Sequence, residues 1–143
     1  MIRSVLDANV VVSGVLGFER AESAPGQIVR AWVDGEFVLV VSGPLVDEIK
    51  RTLRNPYFAP RIDARRASVV ANGLRDLAEW TTIEVSVSGA ATHPEDDLIL
   101  ATAVSAAVDF LVTGDRQLLA LRSFGGIPII GSRAFLTELA TAT

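Results

Sequence analysis

Four short, nearly continuous apolar runs are separated by segments of helical periodicity, and that succession constrains the fold more than any other feature. Ile2 to Leu6, Phe37 to Val41, Phe110 to Thr113 and Ile127 to Ile130 do not alternate polar with apolar residues. Strands of this kind are buried on both faces, as in a parallel sheet covered by helices. Thr82 to Val87 alternates and reads as a further strand, third in chain order. Between the strands, Gln27 to Asp34 looks helical and Gly35 stops it. Ser42-Gly43-Pro44 caps a helix carrying Leu45, Val46, Ile49 and Leu53 and ending near Asn55-Pro56. Ile62 to Trp80, with Asp63 as cap, is the longest helical stretch. Glu95 to Val108, Asp115 to Arg122 and Arg133 to Ala140, the last capped by Ser132, supply three more. Val10 to Leu16 is helical or irregular, and Gly17 to Gly26 and Ser88 to Pro94 read as loops. The expected architecture is a three-layer α/β/α sandwich in one domain spanning residues 1–143.

Acidic residues recur where such a chain brings strand ends together. Asp7 ends the first strand and Asp115 follows the fourth. Asp96 opens a helix, and Glu48 lies one turn inside another. Ligands in open parallel sheets bind just outside the carboxyl ends of strands. Each acid has an ordinary explanation: Asp7 and Asp115 as helix caps, Asp96 as a charge in a first turn, Glu48 on a solvated face. Those explanations share no common prediction. A functional reading does, because four carboxylates at one sheet edge repel one another unless a divalent cation neutralises them. Mg²⁺ takes oxygen ligands and keeps several waters, and carboxylate-held ions serve phosphodiester hydrolysis without His or Cys.

Composition narrows the alternatives. Cysteine is absent, which excludes disulfides, thiolate metal sites and a Cys nucleophile. His93 is the only histidine, too few for a His-based zinc centre. No glycine-rich phosphate loop occurs. The first residues do not read as a signal peptide, and no long apolar run predicts a membrane span, so a cytoplasmic protein is expected. The net charge of −4 argues against a protein that simply coats nucleic acid, although clustered carboxylates contribute to it. Lys50 is the only lysine, and Arg51 and Arg54, on the Glu48 helix, are well placed to meet a phosphate backbone. A mean hydropathy of +0.40 points to apolar surface buried in an oligomer.

Four segments in order resemble the motifs of the PIN-domain family, and within it the VapC-like toxins of bacterial toxin–antitoxin pairs. They are Val5-Leu6-Asp7-Ala8-Asn9-Val10, then Ser42 to Ile49, then Pro94 to Ala103, and Leu111-Val112-Thr113-Gly114-Asp115. The resemblance implies strand order 3-2-1-4-5 and an Mg²⁺- or Mn²⁺-dependent ribonuclease, often a homodimer, inhibited by a cognate antitoxin. Carried over by position, Asp7, Glu48, Asp96 and Asp115 form the acidic, metal-binding site. Asn9, Ser42 and Thr113 support it. Asp97, adjacent to Asp96, competes for the role of inner ligand. His93 stands where relatives often carry Asp.

Three other classes compete with a nuclease. A receiver-like domain needs a lysine after a late strand, and Lys50 is misplaced for that. A haloacid-dehalogenase-like phosphatase needs a second Asp where this chain has Asn9. A catalytically silent PIN-like module, acting by binding RNA or a protein partner, is the remaining alternative.

Overall fold

A computed structural model describes residues 1–90 and 93–142. Its sheet is β1 (Arg3–Leu6), β2 (Val38–Val41), β3 (Glu79–Trp80), β4 (Phe110–Val112), β5 (Ser123–Phe124) and β6 (Ile127–Ile130), ordered β3-β2-β1-β4-β6-β5. All pairings are parallel except β5 with β6. The helices are α1 (Ala8–Leu16), α2 (Ala24–Val33), α3 (Gly43–Leu53), α4 (Ala64–Asp76), α5 (Pro94–Ala106), α6 (Arg116–Ala120) and α7 (Ser132–Thr141). They flank the sheet in the expected α/β/α arrangement. With β5 left out, the remaining five strands follow the expected order 3-2-1-4-5. The antiparallel edge hairpin through β5 is an addition that its short polar-to-aromatic sequence did not announce.

Local chemistry explains most boundaries. Ser23 caps α2 by accepting from the Gly26 amide, with Pro25 in the first turn, so this helix starts three residues before the expected Gln27. At its other end Gly35 adopts φ 76°, and the amides of Gly35 and Glu36 return to the carbonyls of Trp32 and Ala31. That paired closure is the glycine-terminated Schellman motif. Gly14 lets α1 approach α2, since a Cβ there would lie 2.3 Å from Val29 Cγ2.

Three expectations need correction. Thr82 to Val87 is not a strand; the pairing with β2 is made earlier, by Glu79 and Trp80. β2 is only four residues long, and the chain leaves it at Ser42 to begin α3, so nothing remains for residues 82–87 to pair with. Their amides turn elsewhere: Glu84 and Val85 both donate to Ser105 Oγ on α5. For the same reason the long helix stops at Asp76 and not at Trp80. Ser132 is the first residue of α7 and Gly131 its cap, without a side-chain capping bond. Within the expected loop Ser88 to Pro94, Ala91 and Thr92 lie outside the described residues, as does Thr143.

The core runs from Val5, Leu6 and the α1 valines through Leu39 and Ile49 to Leu111 and Phe135. Phe135 is completely buried, with Phe37 and Phe110 packed edge-on at ring separations of 5.0 and 6.1 Å. It fixes α7 against the strand end opposite the acids. Phe135→Ala is expected to lower unfolding free energy by about 3–5 kcal/mol, the range for an aromatic cavity. Urea denaturation measures it, and a loss below about 1 kcal/mol would contradict this packing account.

Candidate active site

The register of the sheet assembles the site. Leu6 lies opposite Val112, so the residues following β1 and β4 emerge at one edge. There, where β1 turns to one neighbour and β4 to the other, the topology places a crevice. A cavity of about 210 Å³ opens at this edge. Asp7, Glu48, Asp96 and Asp115 all line it, as does Asn9. The sequence also leads to three lining residues that were not assigned to the site: Arg51, His93 and Glu95. The signal for the last two was the position of Pro94, which starts α5 and puts its neighbours at the helix mouth.

Thr113 organises the strand ends without reaching the cavity. It is fully buried, its Oγ1 donates to Asp7 Oδ2 at 2.7 Å, and the same oxygen accepts from the Asp115 amide at 3.0 Å. One hydroxyl therefore sets the position of two acids. Asp7 heads α1 but makes no side-chain capping bond there, although the neighbouring Ala8 and Asn9 amides favour its charged form. Asp115 behaves differently. Its Oδ1 caps α6, accepting from the Gln117 and Leu118 amides at 2.8 and 3.0 Å. The ordinary capping explanation thus holds for Asp115 and fails for Asp7.

Asp96 and Asp97 go separate ways. Asp96 faces the cavity, and no hydrogen bond or ion pair among the described residues holds its carboxylate. Asp97 is turned to the preceding loop, where its two oxygens accept from the Gly89 and Ala90 amides at 3.0 and 3.1 Å. Ser42 is also off the cavity. It caps α3, accepting from the Leu45 amide, and meets Thr102 Oγ1 at 2.8 Å. Thr102 in turn donates to the Leu98 carbonyl. These buried hydroxyls tie the helix carrying Glu48 to the helix carrying Asp96.

The electrostatics are unbalanced. Burial pushes the Asp96 carboxyl up to about 6, with the charges of Asp7, Asp115 and Glu95 adding and His93 opposing. Burial also raises Asp7; the Thr113 hydroxyl opposes this, and Asp115 adds to it. Elsewhere on the cavity wall Arg51, one turn along α3, pairs with the Glu48 carboxylate.

The donors suit a hard divalent cation: carboxylates and an amide oxygen, no sulfur, and a lone imidazole. As the side chains stand, however, no three His, Asp or Glu residues among those described are close enough together to hold a metal ion. Glu48 is engaged by Arg51, and one oxygen of Asp115 by its helix. Both are partly exposed arrangements, and exposed ion pairs are worth only about 0–1 kcal/mol, so a cation can compete with them.

A family model described as "PIN domain" matches residues 3–117. The chain belongs to the PIN-domain family. PIN domains are generally nucleases. Two solved structures share the fold. PAE2754 from Pyrobaculum aerophilum is 17% identical with a TM-score of 0.61, covering 98% of this chain and 90% of that one. VapBC2 from Rickettsia felis, solved bound to a DNA fragment from its promoter, is 11% identical with a TM-score of 0.57, covering 91% and 98%. No curated protein matches the chain.

The charge imbalance has a sign that can be measured. A carboxyl whose pKa is raised on folding binds protons more tightly in the native state, so the fold loses stability as pH rises from 3.8 toward 6. Asp96→Asn removes that loss. The variant is expected to melt above wild type at pH 7 in EDTA, with the advantage fading below pH 4. Equal melting temperatures across the range would remove the repulsion account.

Proposed function

We propose that this chain, as one PIN-like domain over residues 1–143, is a metal-dependent endoribonuclease that hydrolyses RNA phosphodiester bonds as the toxin of a toxin–antitoxin pair. The observation that carries the reading is the meeting of Asp7, Glu48, Asp96 and Asp115 around one cavity at the carboxyl edge of the sheet. In this reading the four acids hold Mg²⁺ or Mn²⁺. A divalent ion, when bound, supplies a charge partner for the scissile phosphate and acidifies a water. The rest falls to the chain itself. Thr113 keeps Asp7 oriented, Arg51 would meet a phosphate oxygen, and Glu48 or Asp96 would orient the attacking water. Asn9 offers an amide at the cavity wall. Asp97, bound to the loop amides, acts as a loop anchor.

A protein partner is supported by a second surface. An apolar groove of about 630 Å³ runs between α1, α2 and α4, lined among others by Val15, Phe18, Trp32 and Val69. Val69 and Val33 are largely exposed on it, and the buried Trp32 indole N–H has no hydrogen-bond partner among the described residues. The VapBC name of one structural neighbour agrees with a cognate antitoxin there. A homodimer fits the apolar character of the chain. No helix among the described residues is long and apolar enough to cross a membrane, in keeping with a cytoplasmic location.

One observation favours the alternative of a catalytically silent module that binds RNA or a partner: as the side chains stand, no three acids among the described residues are close enough together to hold a metal ion. The two readings separate in one assay. Labelled RNA is incubated with the purified protein in Mn²⁺, in Mg²⁺ and in EDTA, beside Asp7→Asn. Cleavage is expected only with metal and falls by more than about a hundredfold in the variant, the kinetic equivalent of several kcal/mol. Cleavage that persists in EDTA or in Asp7→Asn would refute the acidic site. Independently, Mn²⁺ is expected to raise the melting temperature of wild type and not of Asp7→Asn. No shift in either, with no cleavage, would leave the silent module standing.

A further inference from the structure

Beyond the cavity, the α3 helix leads to a feature that the acidic site does not use. Pro44, Glu48 and Arg51 line the cavity at helical spacing, and α3 ends just beyond them at Leu53. From there residues 54–62 fold into a compact succession of turns. The amides of Phe58 and Ala59 return to the Asn55 carbonyl, and those of Arg61 and Ile62 to Phe58. Ile62 is buried and Phe58 packs on the core, so the turns are anchored. Tyr57 is nevertheless 55% exposed. The Arg61 guanidinium lies over its ring, 4.2 Å from the centroid, and donates to the Tyr57 carbonyl at 2.6 Å. Arg61 is itself exposed, and neither it nor Arg54 makes an ion pair among the described residues.

The stacked Tyr57–Arg61 pair is presented to solvent on an acidic protein. Packing accounts for one contact of the ring, which meets Phe58 edge-on at a centroid separation of 5.1 Å, and leaves the rest of it exposed. Charge balance does not explain the pair, since Arg61 has no acidic partner. Nucleic-acid bases stack on aromatic rings and on guanidinium planes, and unpaired arginines take the phosphates between them. Tyr57 follows Arg51 by six residues, which bounds its distance from the cavity wall at about 21 Å and brings it much closer through these turns. We propose that Tyr57 and Arg61 form a stacking platform for an unpaired base of the RNA substrate, with Arg54 and Arg51 following the backbone from that base to the cavity. The proposal rests on the nuclease reading and narrows it: the substrate is single-stranded where it crosses α3.

The test measures binding apart from cleavage. A short fluorescein-labelled single-stranded RNA of mixed sequence, and the same strand annealed to its complement, are titrated in EDTA against wild type, Tyr57→Ala, Tyr57→Phe and Arg61→Ala. Thermal melting confirms that each variant folds. Tyr57→Ala is expected to weaken single-strand binding by about tenfold, the low end of one base–aromatic stack, and to leave the duplex unchanged. Tyr57→Phe retains wild-type affinity. Arg61→Ala weakens binding and makes it less salt-dependent. If Tyr57→Ala binds single strands as wild type does, or loses the duplex equally, the platform is overturned and the patch is left to a protein contact. If wild type binds no RNA in EDTA, the platform is overturned, while the nuclease reading stands or falls separately on the metal-dependent cleavage assay.

Discussion

The parallel pairing of β1 with β4 sets Leu6 opposite Val112 and so delivers Asp7 and Asp115 to the same edge of the sheet. A slip of one residue would turn the slipped strand's side chains to the wrong faces, and the apolar core on each side forbids it. The buried Thr113 hydroxyl then converts register into position, donating a hydrogen bond to Asp7 and accepting one from the Asp115 amide. Glu48 and Asp96 depend on the same edge at one remove. Their helices start beside it, and the Ser42–Thr102 contact holds those two helices together. Sheet register, two short polar contacts and two helix starts are sufficient to bring four distant acids around one cavity.

Such an assembly opposes folding. Asp96 is held among Asp7, Asp115 and Glu95, with no hydrogen bond of its own among the described residues, and its carboxyl is pushed up accordingly. A sequence under pressure only for stability would place an amide or an apolar residue there. The core tolerates the repulsion because it is concentrated at one rim, far from Phe135 and the packed strand starts. Uncompensated like charge at a sheet edge favours the approach of a cation over that of an anion.

How much of this could be read from sequence depended on whether the deciding contact was local. The apolar runs, the Ser42 and Asp63 caps and the Gly35 stop are settled within a few residues, and each appears where its chemistry puts it. Thr82 to Val87 failed because alternation reports a surface that fits a sheet, not whether a partner strand extends far enough to pair. The choice between Asp96 and Asp97 was open in the sequence because adjacent helical residues point about 100° apart, and only the loop amides at Gly89 and Ala90 show which one is engaged elsewhere. Arg51 was visible as a cation on the right helix, but its pairing with Glu48 required the shared helix face to be known.

That pairing is where the structure says most about how the site can work. Glu48 and Arg51 neutralise each other at the cavity wall while three other acids repel. In the proposed reading, a cation held by the acids would draw Glu48 away and free Arg51. A phosphate meeting Arg51 from the α3 side would in turn free Glu48. Each event lowers the cost of the other, since both separate the same ion pair, and an exposed pair of this kind costs no more than about 1 kcal/mol to open. On this reasoning the absence of a preformed ligand trio does not weigh evenly against catalysis. It is also what a site that assembles only when cation and phosphate are both present would look like beforehand, with its one basic residue serving as counter-ion until the substrate replaces it.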